Sequence, residues 1–268
     1  MYNQSTNQLI NYILHLADNA LILGHRNSEW CGHGPVLEQD IAITNISLDL
    51  IGQARNFYQY AATLMNVQKI SSPAGGEDLE GATTEDTLAY LRDTREFKNC
   101  LLVEQPNGDW AKTILRQFLF SSFQYYLYGQ LQNSKDEQLA AIAEKSLTEV
   151  TYHLRWSSEW IIRLGDGTGK SHQLMLNAVD ELWMYVGELF SVTDYESGVI
   201  RERIAVDLLS IKPNWEEKVN EIFTEATLRY PDKVFMQKGG KEGKHTENLG
   251  YILADLQFMQ RAYPNSEW

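Results

Sequence analysis

Val36-Leu-Glu-Gln-Asp-Ile-Ala-Ile-Thr-Asn-Ile-Ser-Leu-Asp-Leu-Ile-Gly-Gln-Ala-Arg-Asn-Phe-Tyr58 carries no proline, and the same texture continues to Met65. Glu38, Ala42, Asn45, Asp49, Gly52 and Asn56 recur at steps of four and three, the spacing of one line along an α-helix. The other sides hold Ile43, Ile46, Leu50, Phe57 and Leu64, and Ile41, Leu48, Ile51 and Tyr58. An element apolar around most of its circumference has to be largely enclosed by others. The stretch therefore predicts a long helix, about Val36 to Met65, inside a helical bundle. Its narrow polar line faces either water or the bundle interior.

Similar patterns lie on both sides. A first helix is expected over about Leu9–His25, joined to the second by Glu29-Trp-Cys-Gly-His-Gly-Pro35. The polar, glycine-rich run 68–84 reads as a mobile loop, and a short helix is expected near Thr87–Arg95. Asp109 is placed to cap a helix over Trp110–Leu131. Further helices are expected at Asp136–Leu164, Gln173–Leu189, Asn214–Arg229 and Thr246–Ala262, with Ser191–Arg203 less regular. Proline in a helix interior costs about 3 kcal/mol, so Pro213 is taken as a boundary. The basic, glycine-rich run 238–245 reads as a loop. No alternating strand pattern appears, and the chain is expected to be one all-α domain over 1–268.

A 268-residue chain with 43% hydrophobic residues can bury a sizeable core. A net charge of −13 excludes a broad nucleic-acid surface, which needs clustered Lys and Arg. Cys31 and Cys100 fit neither a redox pair nor a zinc pattern, and the N-terminal residues fit neither a signal peptide nor a membrane span. These features point to the cytoplasm.

Bundles of this kind can hold a di-iron centre, which takes Glu-x-x-His from two helices and a carboxylate from each of two others. Of the six histidines only His245 has a glutamate three residues before it, Glu242, and that pair sits in the glycine-rich run. Asp49, or Glu38, could still give a lone carboxylate. Glu149 and His153 share a helix face at i, i+4, a spacing that suits a single metal elsewhere and more ordinarily a buried hydrogen bond. Glu29, Cys31 and His33 share a tight turn with no partners for zinc or nucleophilic chemistry, so it reads as packing. Lys238, Lys241, Lys244 and His245 fail the phosphate-loop pattern, leaving a solvated loop or a contact for an anion. Arg92, Arg95 and Lys98 precede the apolar Leu101-Leu-Val103, a surface that could receive a phosphate-bearing acyl chain, though surface charge beside a core helix is the ordinary explanation.

Longer strings then carry a resemblance. Glu29-Trp-Cys-Gly-His33, Leu48-Asp-Leu-Ile-Gly-Gln-Ala-Arg-Asn-Phe57 and Leu101-Leu-Val-Glu-Gln-Pro-Asn-Gly108 resemble the C subunits of the bacterial phenylacetyl-CoA epoxidases. So do Tyr152-His-Leu-Arg155, Ile204-Ala-Val-Asp207, His245-Thr-Glu247 and Leu249-Gly250, so the likeness spans nearly the whole chain. It implies a ferritin-like bundle with extra helices and a degenerate di-iron site. The complex it implies is a monooxygenase that epoxidises the ring of phenylacetyl-CoA with O2. Its di-iron centre lies on the catalytic A subunit, and electrons come from NADPH through a reductase subunit.

By the same resemblance this chain binds no cofactor itself and supports the catalytic subunit structurally. It would contribute to the CoA-ester surface at the junction of the two, through Glu96, Phe97, Lys98 and Asn99. A second contact, Val199, Ile200 and Arg201, departs from the family pattern, and the 68–84 loop is longer than the family's. Two other readings stay open: a self-sufficient di-iron oxygenase built on Asp49, Glu149 and His153, and a helical interaction or storage bundle outside this pathway.

Overall fold

A computed structural model describes residues 2–70, 82–231, 233–264 and 266. Four long helices make the frame: α1 (Tyr2–Ser28), α2 (Leu37–Ile70), α4 (Trp110–Leu131) and α5 (Glu137–Gly165). The short α3 (Glu85–Tyr90) lies between the second and third of these in the chain. α1 packs along α2 and α4 along α5, and α2 also meets α5. α6 (Gly169–Leu182) and α8 (Leu208–Glu225) cover α4, while α7 (Asp194–Arg201) lies on α1. The chain closes with α9 (Glu247–Leu256) and α10 (Phe258–Ala262). No strand occurs among the described residues.

Local chemistry sets many of the boundaries. Asp109 accepts from the Lys112 amide at 2.9 Å and Asp136 from the Leu139 amide at 2.9 Å, which starts α4 and α5. Thr168 with Ser171 and Thr193 with Glu196 form capping boxes for α6 and α7.

Several expectations are corrected. α1 begins at Tyr2 rather than Leu9, because its polar first turns have tertiary partners: the Gln8 amide reaches the Asp194 carbonyl at 3.5 Å. Residues 191–203 contain a capped helix, α7. α6 ends at Leu182 and tightens into a 3₁₀ run over Trp183–Phe190. Pro213 lies inside α8, where the bond it forfeits is to the Leu209 carbonyl; both residues are exposed, so water can take that carbonyl. The closing helix breaks at Gln257, whose buried amide donates to the Ala89 and Arg92 carbonyls at 3.2 and 3.0 Å. Of the run 68–84, Gln68–Ile70 complete α2, Thr84 caps α3, and 71–81 lie outside the described residues.

Candidate functional site

Two regions could carry function. The first is the seam between α2 and α5, where His153 and Gln53 are buried and Asp49 and Glu149 partly exposed. Here His153 Nε2 donates to Asp49 Oδ2 at 2.9 Å, and one turn on the Gln53 amide donates to Glu149 Oε2 at 2.9 Å. Numbers rise on α2 as they fall on α5, so the helices run antiparallel with these pairs as rungs. Gln39 adds a rung, accepting from Trp156 and Trp160 at 3.0 and 2.7 Å, and Tyr60 another, donating to Asp136 at 2.5 Å. Gln124 of α4 reaches Gln53 at 3.5 Å and Tyr128 at 3.2 Å.

The seam thus brings together Asp49, Glu149 and His153, but not as Glu149 bonded to His153. Each residue reaches across to α2 instead of along α5. The donor set does not fit an iron pair. Two positions at the seam are neutral amides, Gln53 and Gln124, and His153 spends Nε2 on Asp49. Among the described residues no three of His, Cys, Asp or Glu converge as a metal ion requires. Glu38, beside the Gln39 rung at the start of α2, is exposed and takes no part in these pairings.

The second region is the segment 96–104, which opens on the last residue of a 3₁₀ turn, Thr94–Glu96. Residues 97–100 are irregular backbone, yet their polar groups are held by buried side chains. Arg92 donates to the Glu96 carbonyl at 3.1 Å and His245 Nε2 to the Phe97 carbonyl at 3.0 Å. Asp18 accepts from the Lys98 amide at 2.7 Å, and His15 Nδ1 donates to the Lys98 carbonyl at 2.7 Å. Asn19 accepts from the Cys100 amide at 2.8 Å and Glu188 from the Leu101 amide at 2.7 Å. Asp18 also binds the Arg92 guanidinium and takes the Tyr58 hydroxyl at 2.5 Å, while Arg92 lies 4.2 Å over the Phe97 ring. Arg92 is therefore consumed inside the fold and does not extend a basic surface with Arg95 and Lys98.

The run 238–245 is folded against this segment and is not a solvated loop. Gly240 fits so closely that a Cβ there would sit 2.3 Å from the Asn99 carbonyl oxygen. Gly243 has φ +78°, in the region that favours glycine. Lys241 is buried and bridges to Glu196 at 3.0 Å and to the Ser191 carbonyl at 2.9 Å. Glu188 takes the Gly239 amide at 2.7 Å as well as that of Leu101. Glu104 takes His245 Nδ1 at 2.8 Å, the Thr246 amide at 2.7 Å and the Asn99 amide group at 2.8 Å. Only Lys238 and Lys244 of the four basic groups stay exposed.

Burial and partners set the protonation states. Burial, assisted by the nearby Lys241, lowers His15 to about 4, so the ring is neutral. Burial acts the same way on His245, but the hydrogen bond and charge of Glu104 outweigh it, and its pKa is raised. Both His245 nitrogens face acceptors, which fits an imidazolium. Burial opposes the Glu196 charge, yet Lys241 overcomes it and the carboxyl is held below its usual range. Burial raises the Cys100 thiol well above its ordinary value, leaving an inert side chain.

Of the positions carried over from the resemblance, Phe97, Asn99 and Val199 are buried. Glu96 and Arg201 are exposed, and Lys98 and Ile200 are partly so. The Lys98 ammonium lies 5.5 Å over the ring of Tyr195, which stands in the first turn of α7, the helix whose end carries Val199–Arg201. The Glu29–His33 turn is packing, as read: Asp40 accepts the Gly32 and Gly34 amides at 2.9 and 3.1 Å, and Arg26 pairs with Glu29 at 2.8 Å.

Sequence reading missed Asp18, Glu104, Glu188 and Glu196 as anchors. Their signal was there: Glu104 and Glu188 are lone carboxylates in the apolar runs Leu101–Val103 and Trp183–Phe190. A charge in such a run is rarely buried unless paired.

Four long helices in two packed pairs, with polar rungs where such bundles carry metal ligands, define an all-α, ferritin-like protein. Residues 1–268 match the family described as phenylacetic acid catabolic protein, and the chain belongs to that family. It is 46% identical over 262 residues to the C subunit of the 1,2-phenylacetyl-CoA epoxidase of Escherichia coli (strain K12), covering 98% of this chain and 100% of that one. No described helix is long and apolar enough to cross a membrane.

Proposed function

We propose that the chain is the non-catalytic structural subunit of a cytoplasmic phenylacetyl-CoA epoxidase. It would support the catalytic subunit, which holds the di-iron centre, with NADPH electrons arriving through a reductase subunit. The observation that carries this reading is the α2–α5 seam, where Asp49, Gln53, Glu149 and His153 pair with one another across the two helices and the donor set does not fit an iron pair. The partner has a seat on α2, where Leu37, Ile41, Leu48 and Ile51 form an apolar row 41–69% exposed. Exposed apolar patches of this kind mark interaction surfaces. The CoA ester would lie at the junction of the two subunits, against Glu96–Asn99 and Val199–Arg201, with Lys98 the cation best placed for a phosphate.

Mixing the purified chain with the catalytic subunit tests the reading. The two are expected to co-elute on size exclusion, with iron found on the catalytic partner and essentially none on this chain alone. Absence of co-elution overturns the scaffold role. An iron pair bound by this chain alone supports the self-sufficient oxygenase in its place.

A further inference from the structure

We infer that Asp18, with Arg92 and Tyr58, is a positioning device for the substrate-contacting segment 96–99; this rests on the reading that the segment meets the CoA ester. Asp18 is wholly buried and spends one carboxylate on three elements: Arg92 after α3, Tyr58 of α2 and the Lys98 amide. Arg92 in turn holds the Glu96 carbonyl and stacks on Phe97. The amide and carbonyl of Lys98 are fixed from the same helix, by Asp18 and His15, one turn apart on α1.

Stability alone does not call for this arrangement. A buried ion pair often adds no more than well-packed apolar residues of the same volume, and its recognised use is to specify one conformation. What is specified here is a stretch without repetitive hydrogen bonding. Phe97 and Asn99 point inward, so Lys98, partly exposed beside the exposed Glu96, is the cation the segment offers to the surface. Its ammonium lies over Tyr195 and has no acidic partner within ion-pair distance among the described residues. A cation held ready on a fixed backbone binds an anion without first losing the freedom of a loop.

The test uses the assembled complex with phenylacetyl-CoA as probe. The charge-neutral double variant Asp18→Asn/Arg92→Met is expected to raise KM about tenfold, kcat changing less, equivalent to about 1.4 kcal/mol of lost binding. The Lys98 and Cys100 amides should exchange roughly a hundredfold faster, while co-elution with the catalytic partner is unchanged. If the double variant does not fold, Tyr58→Phe decides, with an expected KM rise of about threefold. A folded variant that loses amide protection yet keeps the native KM overturns the proposal. Lys98→Ala separates the two levels. If it raises KM while the clamp variants do not, only the positioning role falls. If it leaves KM unchanged and the CoA ester protects no amide in 96–99, the contact reading falls and takes the clamp with it.

Discussion

His15 and His245 hold neighbouring carbonyls of one segment, yet their environments push them in opposite directions. His15 is neutral when folded and has its ordinary affinity for protons when unfolded. Its contribution is present above about pH 6.5 and lost as pH falls toward about 4. His15→Gln should therefore flatten the acid slope of stability in that window, by at most about 3 kcal/mol, read from urea midpoints across pH. His245 works the other way: its contribution is present below about pH 6.5 and lost as pH rises through its raised folded value. Lys241 and Glu196 supply a second prediction at this scale. Lys241→Met leaves the buried Glu196 carboxylate without its cation, with only the Thr193 donors of the capping box, and should cost about 3 kcal/mol, whereas Lys241→Met/Glu196→Gln recovers most of it; urea midpoints of the two variants check this. None of these pairings was legible beforehand, because each joins residues 45 or more positions apart. The chain shows a lone charge in an apolar run but not its partner.

At the scale of elements, α2 was the most legible and also the most revealing. Its periodicity gave the helix, but Ile41, Leu48 and Ile51 are exposed, although an enclosed helix was expected. On the reading proposed above, the physical reason is that a surface reserved for another chain would have the composition of a core. Leu48→Glu should abolish co-elution with the catalytic partner while shifting stability by less than about 0.5 kcal/mol, as surface changes do; a fall in melting temperature with retained association contradicts that assignment. α4 was placed at its observed bounds, since Asp109 and a proline-free apolar run leave little choice. α7 was missed although Thr193-x-x-Glu196 spells a capping box, because the helix is only two turns long. Pro213 misled because a proline in the second turn is tolerated when the carbonyl it abandons faces water.

For the molecule as a whole, the bundle was legible and the packing of its C-terminal third was not. Helical periodicity is local, whereas the strap 238–246 owes its place to three carboxylates on distant segments. Gly240→Ala tests how tightly the strap is seated. A methyl group 2.3 Å from the Asn99 oxygen forces backbone to move, with an expected loss of about 2–3 kcal/mol. Hydrogen exchange should quicken at Leu101 and Gly239 together; quickening at Gly239 alone shows that the two segments open independently.

Glu188 gathers amides from Leu101 and Gly239, which leave the ribosome far apart in time. At about 5–20 residues per second, roughly 7–30 seconds separate the emergence of the first and the last of these groups. The Leu101 amide lacks its acceptor until Glu188 is made, and Glu188 lacks its second backbone donor until Gly239 follows, so this junction is complete only once the last third of the chain has emerged.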